Sequence, residues 1–168
     1  GTTGLSEVQR AKLAEVGKDT AILIGANMSL AMNLLFNLVG EVAGALDDSY
    51  DVEISETHHR FKRDAPSGTA LELARRVAVS KKWPLPDCLV HGREGKEVLR
   101  EGKTIGMHAL RAGDTIGEHS VFFAALGETL ELKHTAHTRD TFVRGALAAA
   151  EWLAGRPAGV YSMNDVLG

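Results

Sequence analysis

Glu56-Thr-His-His-Arg-Phe-Lys-Arg-Asp-Ala-Pro-Ser-Gly-Thr-Ala70 is where one periodicity gives way to another. Ahead of it, Asp51-Val-Glu-Ile-Ser-Glu-Thr57 alternates apolar and polar residues, the period of a strand. Behind it, Thr69-Ala-Leu-Glu-Leu-Ala-Arg-Arg-Val77 is rich in helix formers. Ser67 suits the N-cap, because its hydroxyl accepts a backbone N–H from the first turn. Pro66 favours an extended Ala65 and suits an early turn of the helix. The stretch therefore reads as strand, loop and helix.

Two chemical capacities meet in it. Gly68 and Thr69 fall at the positive end of the helix dipole, a site for a carboxylate or phosphate, and Gly68 lets a ligand approach its backbone closely. Lys62 and Arg60 can add charge-assisted bonds to the same anion. His58 and His59 stand at the strand end, where a general acid or base titrating near neutral pH is well placed. Neighbours in a strand point to opposite faces, so the two histidines do different jobs if the strand persists. Alternation also puts Glu56 on the face of Val52, Ile54 and His58. A carboxylate there lies at or past the core boundary, or pairs with a cation.

Outward from this stretch the elements follow in order. Ser6 to Val16 reads as an amphipathic helix opened by a Ser6-x-x-Gln9 capping box. Thr20 to Ile24 is a short strand running into Gly25-Ala-Asn27. A helix from Ser29 to Leu46 carries apolar residues around much of its circumference and is expected to be well buried. After the Thr69–Ser80 helix comes a loop-rich stretch with Pro84 and Pro86. Strands are expected at Thr104–Arg111, Glu118–Leu126 and Thr129–Thr135, the last two joined tightly at Gly127-Glu128. A final helix runs from Asp140 to Ala154, with Gly155 suited to its C-cap and Pro157 beyond. In Val121-Phe-Phe-Ala-Ala-Leu126 both faces are apolar. One face packs on helices; the other needs a second subunit's sheet, or the loop from Trp83 to Lys103.

The fold expected is α+β: a mixed, mostly antiparallel sheet of about four strands, covered on one face by helices. With 168 residues, the chain is long enough for a good core. Its 19 basic and 22 acidic residues, net charge −3, argue against nucleic-acid binding. Cys88 is the one cysteine, which excludes an internal disulfide and suits a reducing cytoplasm. Neither a signal peptide nor a membrane span is expected, and no metal.

The 56–70 stretch resembles the signature of the dihydrodipicolinate reductase (4-hydroxy-tetrahydrodipicolinate reductase) family, NAD(P)H-dependent enzymes of lysine and diaminopimelate biosynthesis. Gly1-Thr-Thr-Gly4, Gly25-Ala-Asn-Met-Ser29, Arg111-Ala-Gly-Asp114, Gly117-Glu-His119 and Gly145-Ala-Leu-Ala148 agree in order. The resemblance implies His58 and Lys62 as catalytic groups, and His59, Gly68 and Thr69 as substrate-binding. It implies Gly1, Thr2, Thr3, Gly25, Ala26, Asn27 and Met28 near the nicotinamide of NADPH or NADH, and Arg139 near the substrate. Met28 stands where many relatives carry phenylalanine. A cyclic imine dicarboxylate is the implied substrate, and a homotetramer built through the sheets is the implied assembly.

One departure is large. The Gly-x-Gly-x-x-Gly turn that holds a pyrophosphate is missing from the sequence. Residues 1–26 are therefore expected to be a remnant of a Rossmann-type dinucleotide-binding domain. Residues 27–168 would form the substrate-binding and oligomerisation domain, with the last residues returning to the remnant. The alternative to an active reductase is a truncated, catalytically inactive binding and assembly domain.

Overall fold

The computed structural model of the protein describes residues 5–168, in two compact units. One gathers the described residues up to 34 together with 138–168; the other is residues 35–137. Packing divides the chain after residues 34 and 137.

In the first unit, α1 (Glu7–Val16) opens with the capping box of Ser6 and Gln9, but none of its residues is buried. The cap and helix match the sequence pattern; the apolar face meets too little to be covered. Strand β1 (Ala21–Leu23) pairs in parallel with β7 (Gly159–Tyr161). Helix α4 (Asp140–Leu153) packs on β1, and α5 (Met163–Leu167) is held by a capping box of Ser162 and Asp165. α4 closes at Ala154, with Gly155 just beyond at φ +76°. Gly145 lets α4 touch the loop after β1, since a Cβ there would stand 1.7 Å from the Met28 carbonyl oxygen.

Helix α2 spans Leu30–Ala45. Met32, Phe36, Val39 and Ala43 are buried, whereas Leu30, Leu34 and Leu38 are exposed. The expectation of a well-buried helix thus fails along one line: leucines four apart share a face, and this line points outward.

The second unit is built on a five-stranded sheet in the order β3-β4-β2-β5-β6. Its strands are β2 (Asp51–His58), β3 (Leu89–His91), β4 (Ile105–Arg111), β5 (Gly117–Ala125) and β6 (Glu128–Ala136). β3–β4 and β4–β2 pair in parallel, β2–β5 and β5–β6 antiparallel, so the sheet is mixed. The fifth strand, beyond the four expected, is β3: three residues after two prolines, ordered by pairing with β4 rather than by its own pattern.

Helix α3 (Gly68–Lys81) lies against β2 and β5. It buries Ala70, Leu73, Ala74, Val77 and Ala78 on Val52, Ile54, Ile105, Val121 and Phe123. It ends in a Schellman motif. Trp83 N–H donates to Ala78 O, Lys82 N–H donates to Val79 O, and Lys82 is left-handed at φ 58°. The free thiol of Cys88 is buried just before β3, and its carbonyl accepts from Ile105 of β4. Burial pushes that thiol's pKa up.

On the opposite face Glu53 gathers cations. Arg93 donates to it at 3.0 and 2.8 Å, Arg100 at 3.1 Å, and His108 Nε2 lies 2.7 Å away. Burial raises the Glu53 pKa, but the bonds from Arg93, His108 and Arg100 outweigh it and hold it at about 2. The 92–103 segment is thereby fixed to this face. Phe122, paired with Glu53 in the register, is only half-buried.

Candidate active site

The alternation of β2 carries through to His58, with Val52, Ile54, Glu56 and His58 all buried on the side that α3 covers. A carboxylate in that row needs partners. Glu56, 2% exposed, receives four donors. Arg111, paired with His58 in the β2–β4 register, donates to both oxygens at 2.8 Å. Ser67 N–H, at the cap of α3, donates to Oε1 at 3.0 Å. His58 Nδ1 stands 2.5 Å from Oε2. Burial pushes the Glu56 pKa up, yet the hydrogen bonds from His58 and Arg111, the charge on His58 and the Ser67 amide hold it at about 2. Glu56 is an anion, and the expectation that it pairs with a cation is met by Arg111.

Across the register from Glu56 on β5 stands His119, 4% exposed. Its ring is edge-on to His58 with centroids 5.1 Å apart. Its Nε2 lies 3.0 Å from Ser67 Oγ, which already accepts Ala70 N–H. Burial first, then the charge of His58 against the opposing pull of Glu56, bring the His119 pKa down to about 3. Gly117 borders the other nitrogen of His58: a Cβ there would lie 3.1 Å from Nε2.

The remaining candidates are distributed as follows. Lys62 Nζ donates to both Asp64 oxygens at 2.8 and 2.9 Å, and that bond lowers the Asp64 pKa. The Asp64 carbonyl accepts from Arg111 at 2.6 Å. A continuous chain of contacts thus runs Lys62–Asp64–Arg111–Glu56–His58, and the Glu56–Ser67 bond ties it to the helix start. Gly68 and Thr69 occupy the first two positions of α3. The His59 ring lies beside that of Phe61, centroids 6.3 Å apart, and Arg60 lies over the same exposed Phe61 ring.

Gly25, Ala26, Asn27 and Met28 belong to the first unit, in the loop at the carboxyl end of β1. Asn27 Oδ1 accepts from Ser29 N–H at 2.9 Å, and its carbonyl accepts from Asn33 Nδ2 at 2.8 Å. Arg139 stands at the start of α4 in the same unit. Gly1, Thr2 and Thr3 lie outside the described residues. The sequence left Glu56 without a role, and it left Arg111 and His119 as family matches with none. The one signal was Glu56 itself, a carboxylate in the buried register of a strand.

A buried imidazole held by a carboxylate beside a helix start, on a mixed sheet backed by helices, makes this end of the second unit the candidate site. The family model for the C-terminus of dihydrodipicolinate reductase matches residues 31–167, so the chain belongs to that family. Proteins named 4-hydroxy-tetrahydrodipicolinate reductase are similar along the whole chain. That of Hahella chejuensis is 51% identical over 168 residues and that of Thiobacillus denitrificans 48%. That of Rubrobacter xylanophilus is 50% identical over 99% of the chain. The chain spans 63% of the length of the first two and 64% of the third. A dipicolinate-bound dihydrodipicolinate reductase from Paenisporosarcina sp. TG-14 shares the fold. Its TM-score is 0.72 at 24% identity, covering 98% of this chain and 62% of that one.

Proposed function

We propose that this chain is the substrate-handling part of a 4-hydroxy-tetrahydrodipicolinate reductase, which reduces a cyclic imine dicarboxylate with NADPH or NADH. The observation that carries the reading is the single carboxylate, Glu56, bonded to both His58 and the cap of α3. It sets a proton-exchanging ring and a helix N-terminus at one end of one sheet. The amides of Gly68 and Thr69, with Lys62 or His59, hold the carboxylates and so orient the ring. When Lys62 bonds a substrate carboxylate, that oxygen replaces Asp64. His58 or Lys62 then supplies the proton that the reduced ring needs.

The nicotinamide, when bound, supplies the hydride. The loop of residues 25–28 fits one end of such a cofactor, because it lies at the carboxyl end of a parallel strand, where α/β folds bind nucleotides. No Gly-rich phosphate turn occurs in the sequence, and either dinucleotide is admitted. A homo-oligomer, on the family pattern a tetramer, would cover the outer sheet face, where Phe122 and Leu110 stay accessible. Cytoplasmic residence fits a chain with one buried thiol. No helix among the described residues is long and apolar enough to cross a membrane.

The test is His58→Gln in a full-length reductase carrying this chain. Turnover at saturating cofactor is expected to fall by about 10²–10⁴-fold, the usual worth of a general acid. Unchanged turnover removes His58 from proton transfer and leaves Lys62.

A further inference from the structure

We propose that Glu56 is the positioning residue of His58, committing Nδ1 to the protein and leaving Nε2, the edge beside Gly117, as the only nitrogen that exchanges the reaction's proton. The inference rests on the reductase reading of this site.

Several observations carry it. An ionised carboxylate only accepts hydrogen bonds. Both oxygens of Glu56 already receive Arg111, and Oε1 also receives Ser67 N–H. The contact of Oε2 with His58 at 2.5 Å therefore requires the hydrogen on Nδ1. Glu56 and His58 are two residues apart on one face of β2, so strand geometry alone brings carboxylate and ring together. Glu56 cannot swing away, because β4 grips it through Arg111 and α3 through the cap of its helix. Arg111 and the Ser67 amide share the work of stabilising the carboxylate with His58; the bond to His58 also orients the ring.

Nε2 then faces Gly117, where a missing side chain leaves room against the ring. When Nε2 gives up its proton, the neutral ring keeps its remaining hydrogen on Nδ1, already bonded to Glu56. Neither a ring flip nor a proton shift is needed between turnovers. The other charged or titratable groups around the ring, among the described residues, include Arg111 on β4, His119 on β5 with His134 paired to it on β6, and Lys62 and Asp64 in the loop before α3. Among the described residues, Glu56 is the hydrogen-bond partner of Nδ1.

The experiment uses full-length enzyme with ¹⁵N-labelled histidine. Wild-type His58, when neutral, is expected to show the Nδ1–H tautomer; Nε2–H would overturn the proposal, and this measurement needs no variant. In Glu56→Gln the tautomer is expected to become mixed. Its kcat should fall about 10²-fold, while affinity for pyridine-2,6-dicarboxylate stays within a few-fold. The double variant Glu56→Gln/His58→Gln is expected to be no slower than His58→Gln alone, because Glu56 acts through the ring. A Glu56→Gln enzyme that folds with wild-type tautomer and kcat overturns the inference even if His58→Gln is inactive. If His58→Gln is fully active, the proton-transfer reading fails first. If Glu56→Gln does not fold, the wild-type tautomer decides.

Discussion

A carboxylate in line with Val52 and Ile54 is an expensive residue for a core. Removing one partner of such a buried pair costs about 3–5 kcal/mol, yet an apolar replacement of the whole group is often neutral. The neighbouring His119 has a related effect on acid stability. Its ordinary pKa of 6.5 applies to the unfolded chain, while burial keeps the folded value at about 3. Between those values the unfolded chain binds the extra proton, so stability falls as the pH drops from about 6.5 towards 3. Glu56 works in the same direction lower down: its folded pKa of about 2 against an ordinary 4.5 means stability is lost as the pH falls through that window. Thermal melts are expected to decline from pH 6.5 and to steepen below 4.5. His119→Gln should flatten the upper part of that curve, with His134, also lowered by burial, supplying what slope remains. An unchanged slope in the variant contradicts the burial assignment.

Among the elements, those written by local rules were readable. The Ser6–Gln9 box and the Ser67 cap follow from side chains three residues from their targets. Strand β2 follows from its alternation. What could not be read depends on distant partners. β3 exists because Ile105 and Met107 give Leu89–His91 a parallel neighbour. Arg111 meets Glu56 across 55 positions of sequence. Glu56 could be seen as a misfit in its row, but not what answers it. The exposed leucine line of α2 was missed because hydrophobicity shows which residues seek cover, not which receive it. Helix α3 ends on a local rule that the sequence does not obey: Lys82 holds a left-handed conformation that favours glycine. Lys82→Gly is expected to stabilise the second unit by roughly 0.5–1 kcal/mol, measurable as a rise in urea midpoint with unchanged slope. Destabilisation would mean that the Lys82 side chain contributes more than its backbone strain removes.

For the molecule as a whole, the division of labour between reductase and fragment is a matter of which ligands the chain accepts alone. The groups proposed to hold a dicarboxylate sit in residues 58–69, all within the second unit. Those needed for a pyrophosphate do not occur in the sequence. Calorimetry on the 168-residue chain is expected to show binding of pyridine-2,6-dicarboxylate without measurable binding of NADH. Heat from NADH at comparable concentration would show that the loop of residues 25–28 suffices for the cofactor. The reading as a binding and assembly domain would then be wrong.

The lone sulfhydryl of this chain offers one thing more. Cys88 is shut away at the margin of the sheet, its carbonyl bonded to the strand beside it. A thiol-seeking dye reaches it only when that margin peels back. The rate at which the dye reacts in native buffer is therefore a clock for opening of the sheet's border, built in with no reporter group added.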